Sequence, residues 1–185
     1  MNLFENINIE NYQSFFKDNL IYFKNISSSI SENEKFILEN IGIPKTIISH
    51  HDTNSSFSIN PQNRFTIAPN NYFNDETDSI YMDLSNKNEI YLYNNSLMNT
   101  SLYAFILSCF LYWRVDEIFE NEILILKSKM DKEKIFLEID NLIFQAKKKL
   151  KELDIEAVER GSFWDSFFDY SGEEYEPYSF KAMIY

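Results

Sequence analysis

Residues 89–113 read EIYLYNNSLMNTSLYAFILSCFLYW, and the fold turns on what the second half of that stretch becomes. Residues 102–113, LYAFILSCFLYW, form a largely apolar run in an otherwise polar, Asn-rich chain. Leu102, Phe105, Ile106, Cys109, Phe110 and Trp113 recur at helical spacing and make one broad apolar face, which Tyr103, Leu107, Leu111 and Tyr112 widen. A helix of about twelve residues spans roughly 18 Å, whereas a bilayer core asks for about 30 Å and about 20 residues. Arg114 and Asp116 follow immediately. The run is therefore expected as a helix buried on a sheet, not a membrane span. Thr100 or Ser101 offers its N-cap. Cys109 lies on the apolar face and reads as a small core residue.

Upstream of this helix the pattern changes period. Between His51 and Met98, the runs SFSIN, RFTIA, SIYMDL, EIYLY and SLM are short and β-prone, and PQN, PNNYFNDETD, SNKN and NN break them. Asn94-Asn95 is the tightest break, built from the non-Gly residue most at ease at positive φ. These runs predict an α+β fold with a central antiparallel meander of about five strands over residues 55–98, flanked by N-terminal and C-terminal helices. Residues 9–24, IENYQSFFKDNLIYFK, are expected as one of those helices. Ser31 with Glu34 makes a capping box that opens a second, EKFILENI. That helix is expected to stop at Gly42 in a left-handed C-terminal position, with Pro44 preventing continuation.

Beyond the apolar run, a long helix is expected from Asp131 to Leu153. Its core face is marked by Ile135, Ile139, Leu142, Ile143, Ala146, Leu150 and Leu153. Lys147, Lys148, Lys149 and Lys151 lie near its C-terminal end, where cations complement the helix dipole, so they read as a solvated cap. Ser162 opens a last helix, SFWDSFFDY, with Phe163, Trp164, Phe167 and Phe168 available for packing. No repeat or linker interrupts residues 1–185, which read as a single domain.

The formal net charge is −12 with a sequence pI near 4.6. A nucleic-acid binder needs a positive footprint, and so does a protein that docks on anionic lipid; both are disfavoured. The balance suits solubility, or docking to a basic partner. One cysteine leaves neither an intrachain disulfide nor a cysteine zinc site. The start MNLFENINIENYQ lacks a basic-then-apolar leader, so a cytoplasmic protein is expected, and the glycosylation patterns at Asn25, Asn54 and Asn99 carry no weight.

The search for chemistry yields little. His50 and His51 are adjacent and point apart, a poor chelate. With glycines only at 42, 161 and 172, no phosphate-cradling loop and no nucleophile elbow can be formed. No catalytic, cofactor-binding or metal-binding residues are assigned. Two acidic groups remain. Asp75, Glu76 and Asp78, followed by Asp83, have the oxygen chemistry for a hard cation but not the EF-hand spacing, and a solvated loop is the plainer reading. Asp165, Asp169, Glu173, Glu174 and Glu176 form either a partner-facing rim or a solvated tail.

Several short motifs fall in a recognisable order. Ile41-Gly42-Ile43-Pro44 is followed by Ile80-Tyr81-Met82-Asp83 and the hairpin SNKNEIYLY. Then come Asn99-Thr100-Ser101-Leu102-Tyr103-Ala104-Phe105, Asp154-Ile155-Glu156-Ala157 and Ser162-Phe163-Trp164. This set, running over about residues 30–170, resembles the SUKH superfamily, and within it the fourth SUKH family of bacterial immunity proteins. The sequence departs from that pattern in having Asn88 for the hairpin glycine and Thr100 for a serine at the junction. Both can serve the same turn and cap roles. The resemblance implies a non-enzymatic binding protein, with helices around a central sheet, that neutralises a polymorphic or contact-dependent toxin, such as a nuclease or deaminase. It also implies that Asn99 and Ser101 hold the junction and that Trp164 packs. It brings no fixed interface; charge points to Asp75, Glu76, Asp78, Glu173, Glu174 and Glu176 against a basic partner surface. Three other readings stay open: an interaction adaptor of similar fold, a metal enzyme built on the acidic loop, and an α+β domain of other role.

Overall fold

The apolar run is a helix. The structure, a computed structural model, describes residues 3–45, 62–69, 78–92, 95–119, 121, 132–159 and 163–164. Within these, α1 spans Ile9–Phe16, β1 Leu20–Ile21, α2 Glu32–Phe36, β2 Ile43–Pro44, β3 Arg64–Pro69, β4 Asp78–Asp83, β5 Glu89–Leu92, β6 Leu97–Asn99, α3 Leu102–Ile118 and α4 Lys132–Leu153. The fold is α+β. α3 runs past Arg114 and Asp116 to Ile118, and Arg114 is paired with Glu117 one turn on. Its residues 104–112 are all buried, because α1, α4, β5 and β6 cover it from different sides.

The meander is an antiparallel sheet in the order β3-β4-β5-β6. Four strands are described where about five were expected; SFSIN, the remaining run, lies outside the described residues. The register aligns Phe65, Met82 and Ile90 in one row across β3, β4 and β5, and Ile90 then stands opposite Asn99 of β6. That face lies in the core with Ile67, Ile80 and Met98. Between Ile90 and Tyr91 the register on β6 slips, so Met98 is an extra residue, and both it and Asn99 are fully buried. The turn after β4 carries Lys87 at φ 53° and Asn88 at φ 63°, so asparagine takes the position where a glycine is usual. After β5, Asn95 at φ 62° serves the next turn, and its N–H reaches the Leu92 carbonyl at 2.8 Å.

The N-terminal region departs from expectation. Residues 9–24 are not one helix: α1 ends at Phe16, Lys17 takes φ 44°, and a 3₁₀ turn over Lys17–Asn19 leads into β1. β1 pairs antiparallel with β2, setting Leu20 opposite Pro44 and Ile21 opposite Ile43. Pairing with a distant segment overrides the local helical pattern there, and Leu20 and Phe23 are buried while Tyr22 is exposed. EKFILENI likewise changes character midway. Ser31 caps α2, its Oγ accepting from the Glu34 N–H at 3.5 Å, and a π-helical turn then takes over from Ile37 to Ile41. Gly42 ends it at φ 83° and ψ 169°, which is not the left-handed helical conformation but an extended one open in practice only to glycine. A Cβ at this position would stand 2.9 Å from the Ile21 carbonyl oxygen, so β1 sits directly against the glycine.

α4 runs as expected, with Ile139, Leu142, Ala146 and Leu150 buried and Ile135, Ile143 and Leu153 packed at the margin of the core. A 3₁₀ turn at Glu156–Val158 follows, and its Ala157 is buried. Phe163 and Trp164 are helical and buried, their rings meeting edge to face at 4.9 Å; Phe167 and Phe168 lie outside the described residues. No described helix is long and apolar enough to cross a membrane.

Candidate functional site

Among the described residues, three places gather polar or charged groups, and the first two draw on residues far apart in the sequence. The first is the junction between sheet and helix. Asn99, the last residue of β6, is fully buried. Its Oδ1 accepts from the Trp164 indole N–H at 3.0 Å. Its Nδ2 donates to Ser108 Oγ and to Asp154 Oδ2, both at 3.1 Å. The indole can only donate and the carboxylate lies on the other side, so the amide has one sensible orientation. Asp154 Oδ2 also accepts the Thr100 N–H at 2.7 Å, and Ser101 Oγ caps α3 by accepting from the Ala104 N–H at 3.1 Å. Of the two residues offering to cap α3, the serine does so, and the threonine gives its backbone to the knot. Buried polar groups are costly when unpaired, and this cluster answers its own donors. Asn99, Ser108, Asp154 and Trp164 are buried, so the cluster fastens β6, α3, the end of α4 and the Phe163-Trp164 segment to one another.

The second is the outer face of the sheet. Thr66, Tyr81, Tyr91 and Leu97 are aligned across the four strands, and Arg64, Asp83 and Glu89 form the next row. The Arg64 guanidinium carbon sits 4.1 Å from the centre of the Tyr81 ring, and Tyr81 stacks on Tyr91 at 5.8 Å. The Tyr81 hydroxyl donates to Asn95 Oδ1 at 2.7 Å, and Arg64 donates to the same oxygen at 3.3 Å. The Tyr91 hydroxyl donates to Glu89 Oε2 at 2.5 Å, while Asn86 Nδ2 reaches both at 2.7 Å. Burial, and then the Glu89 carboxylate that holds the proton, push the Tyr91 phenol up to about 12. The alternation of SIYMDL and EIYLY is the signal in the sequence that sets both tyrosines on one face, away from Ile80, Met82 and Ile90.

The third is a groove of about 440 Å³ lined by Phe144, Lys147, Lys148, Lys151 and Val158, on the side of α4 turned from the core. The lysines read from sequence as a solvated cap therefore frame an apolar floor. Lys149 turns aside and pairs with Glu152 at 3.4 Å.

Most of the acidic residues expected at a partner surface are not among the described residues. Asp75, Glu76, Glu173, Glu174 and Glu176 lie outside the described residues, as do His50, His51, Asp165 and Asp169. Asp78 is the first residue of β4, where its backbone stands opposite Pro69. Asp83 accepts the Ser85 N–H at 2.8 Å and so shapes the turn into β5. Among the described residues no group of three or more His, Cys, Asp or Glu is placed to hold a metal ion. Cys109 is fully buried, and burial pushes its thiol well above the usual range.

No family model, no curated protein and no solved structure matches this chain.

Proposed function

We propose that this protein is a non-enzymatic immunity protein of SUKH type, which binds a cognate bacterial toxin and blocks it by direct contact. What supports the reading is the meeting of its motifs. Asn99 and Thr100 of the junction motif, Asp154 of the Asp-x-x-Ala motif and Trp164 of the Phe-Trp pair are separated by up to 65 positions, yet are joined by three hydrogen bonds through Asn99 and Asp154. Chance matches to separate short motifs have no reason to meet in space; residues that define one fold do. The net charge of −12 supports a basic target, such as the active-site surface of a toxin acting on nucleic acid as a nuclease or deaminase. On this reading Asp75, Glu76, Asp78, Glu173, Glu174 and Glu176 face the toxin.

The test is co-expression with a candidate toxin domain from a neighbouring gene, in a sensitive host, with growth as readout. Rescue is expected, together with a one-to-one complex whose association slows as salt is added. Replacing Asp75, Glu76 and Asp78 by their amides, and separately Glu173, Glu174 and Glu176, should slow association by about tenfold in at least one set. No rescue and no complex would reject the immunity reading and leave an interaction adaptor of the same fold as the better one.

A further inference from the structure

α4 has a second face. Its core face is used, but Leu137 is 66% exposed and Phe144 is 68% exposed, and both lie on the opposite side of the helix. They are two turns apart, so they form one apolar strip. Asp140 precedes Phe144 by one turn and Lys148 follows it by one turn; both are exposed and lie along the same strip, as does Lys151. The charge thus changes sign across Phe144. The groove at Phe144, Lys148, Lys151 and Val158 occupies the positive half.

A helix face ordered acid, aromatic, base is complementary to itself when turned end for end. We propose that the chain pairs with a second copy through this face, with the two α4 helices antiparallel and Phe144 at the two-fold axis. In that arrangement Asp140 of each copy meets Lys148 of the other. Leu137 of each copy meets Lys151 of the other and enters its groove. An acidic peptide would satisfy the lysines but meet repulsion at Asp140; the second copy satisfies both halves. Two chains of charge −12 repel at long range, so self-association needs a surface where local charge is positive, and the Lys148–Lys151 half of α4 supplies one. At physiological salt the long-range repulsion is screened beyond about 8 Å while contact pairs persist. One helix face against its copy is at the small end of specific interfaces, below about 1,200 Å² in total, so the affinity expected is micromolar. The pairing is independent of whether the protein neutralises a toxin.

Sedimentation velocity of the full chain across the micromolar range tests it by charge exchange. Asp140→Lys alone places lysine against Lys148, and Lys148→Glu alone places glutamate against Asp140. Each variant is expected to dimerise at least about tenfold more weakly than the parent. Mixed in equal amounts, the two variants regain complementary pairs at both ends and should form a heterodimer as tight as the parent. Both sites are exposed, and circular dichroism checks that each variant is folded. A parent chain that is monomeric throughout this range overturns the proposal. So does a dimer that neither substitution weakens, or a mixture that fails to recover, since either would place the contact elsewhere.

Discussion

Asn99 shows how much one buried side chain can settle. It has one acceptor oxygen and two donor hydrogens, and Trp164, Ser108 and Asp154 answer them in turn. Asp154 adds the Thr100 N–H, a backbone donor at the mouth of α3 with no partner inside the helix. Truncating Asp154 strands two donors in the interior. Asp154→Ala is therefore expected to destabilise the fold by about 3 kcal/mol in urea unfolding. Asp154→Asn keeps one oxygen that both donors can share, and should recover at least half of that loss. Equal losses for the two variants would mean that the acceptor oxygen is not what matters. The sequence made Asn99, Thr100 and Asp154 visible only as members of separate short motifs. Nothing in their spacing says that the carboxylate at 154 meets the amide at 99, because that pairing depends on where α4 comes to rest.

At the scale of elements, local signals worked at two helix caps and two turns, though Gly42 ends its helix in an extended rather than a left-handed helical conformation. Ser31 and Ser101 cap α2 and α3, and Asn88 and Asn95 take positive φ in the two hairpin turns. They failed where a distant segment competes. Residues 17–24 carry helical periodicity, but β2 recruits Leu20 and Ile21 into a strand pair, and β1 leaves no room for a Cβ at Gly42. Gly42→Ala would bring a methyl group within 2.9 Å of the Ile21 carbonyl oxygen at a φ that side chains avoid. A loss of about 2 kcal/mol is expected, with the β1–β2 amides losing hydrogen-exchange protection first. Asn88→Gly tests the opposite case. Its φ of 63° suits glycine, and its link to Glu34 Oε2 is long at 3.3 Å, so stability should change by less than about 0.5 kcal/mol. A large loss there would show that the side-chain link between the hairpin and α2, not the turn conformation, holds the two together.

For the whole molecule, the interior has a pH limit on the alkaline side. Tyr12 is fully buried, and its hydroxyl donates to the Gly42 carbonyl at 2.8 Å; burial raises its phenol well above the usual range, as it raises Tyr91 to about 12. A raised phenol means that the fold prefers the neutral form. Its contribution is complete below the unfolded value near pH 10, and is lost as pH climbs through the folded values. Tm should hold up to about pH 10 and fall above it. Tyr12→Phe should flatten that fall while lowering Tm at every pH, because the Gly42 carbonyl loses its donor. A fall beginning near neutral pH would require another group. Composition and periodicity alone determined that the chain is α+β, that residues 102–113 are a buried helix and that a long amphipathic helix runs to about Leu153. Those outcomes rest on hydrophobic patterning and on caps that act within a few residues. Tertiary structure decided the β1–β2 pair, the doubly buried Met98 and Asn99 at the bulge, the knot at Asp154 and Trp164, and the exposed strip through Leu137 and Phe144. Each depends on which distant surfaces meet, and the hydrogen bonds and buried area gained there outweigh a local preference that is worth only a fraction of a kcal/mol per residue.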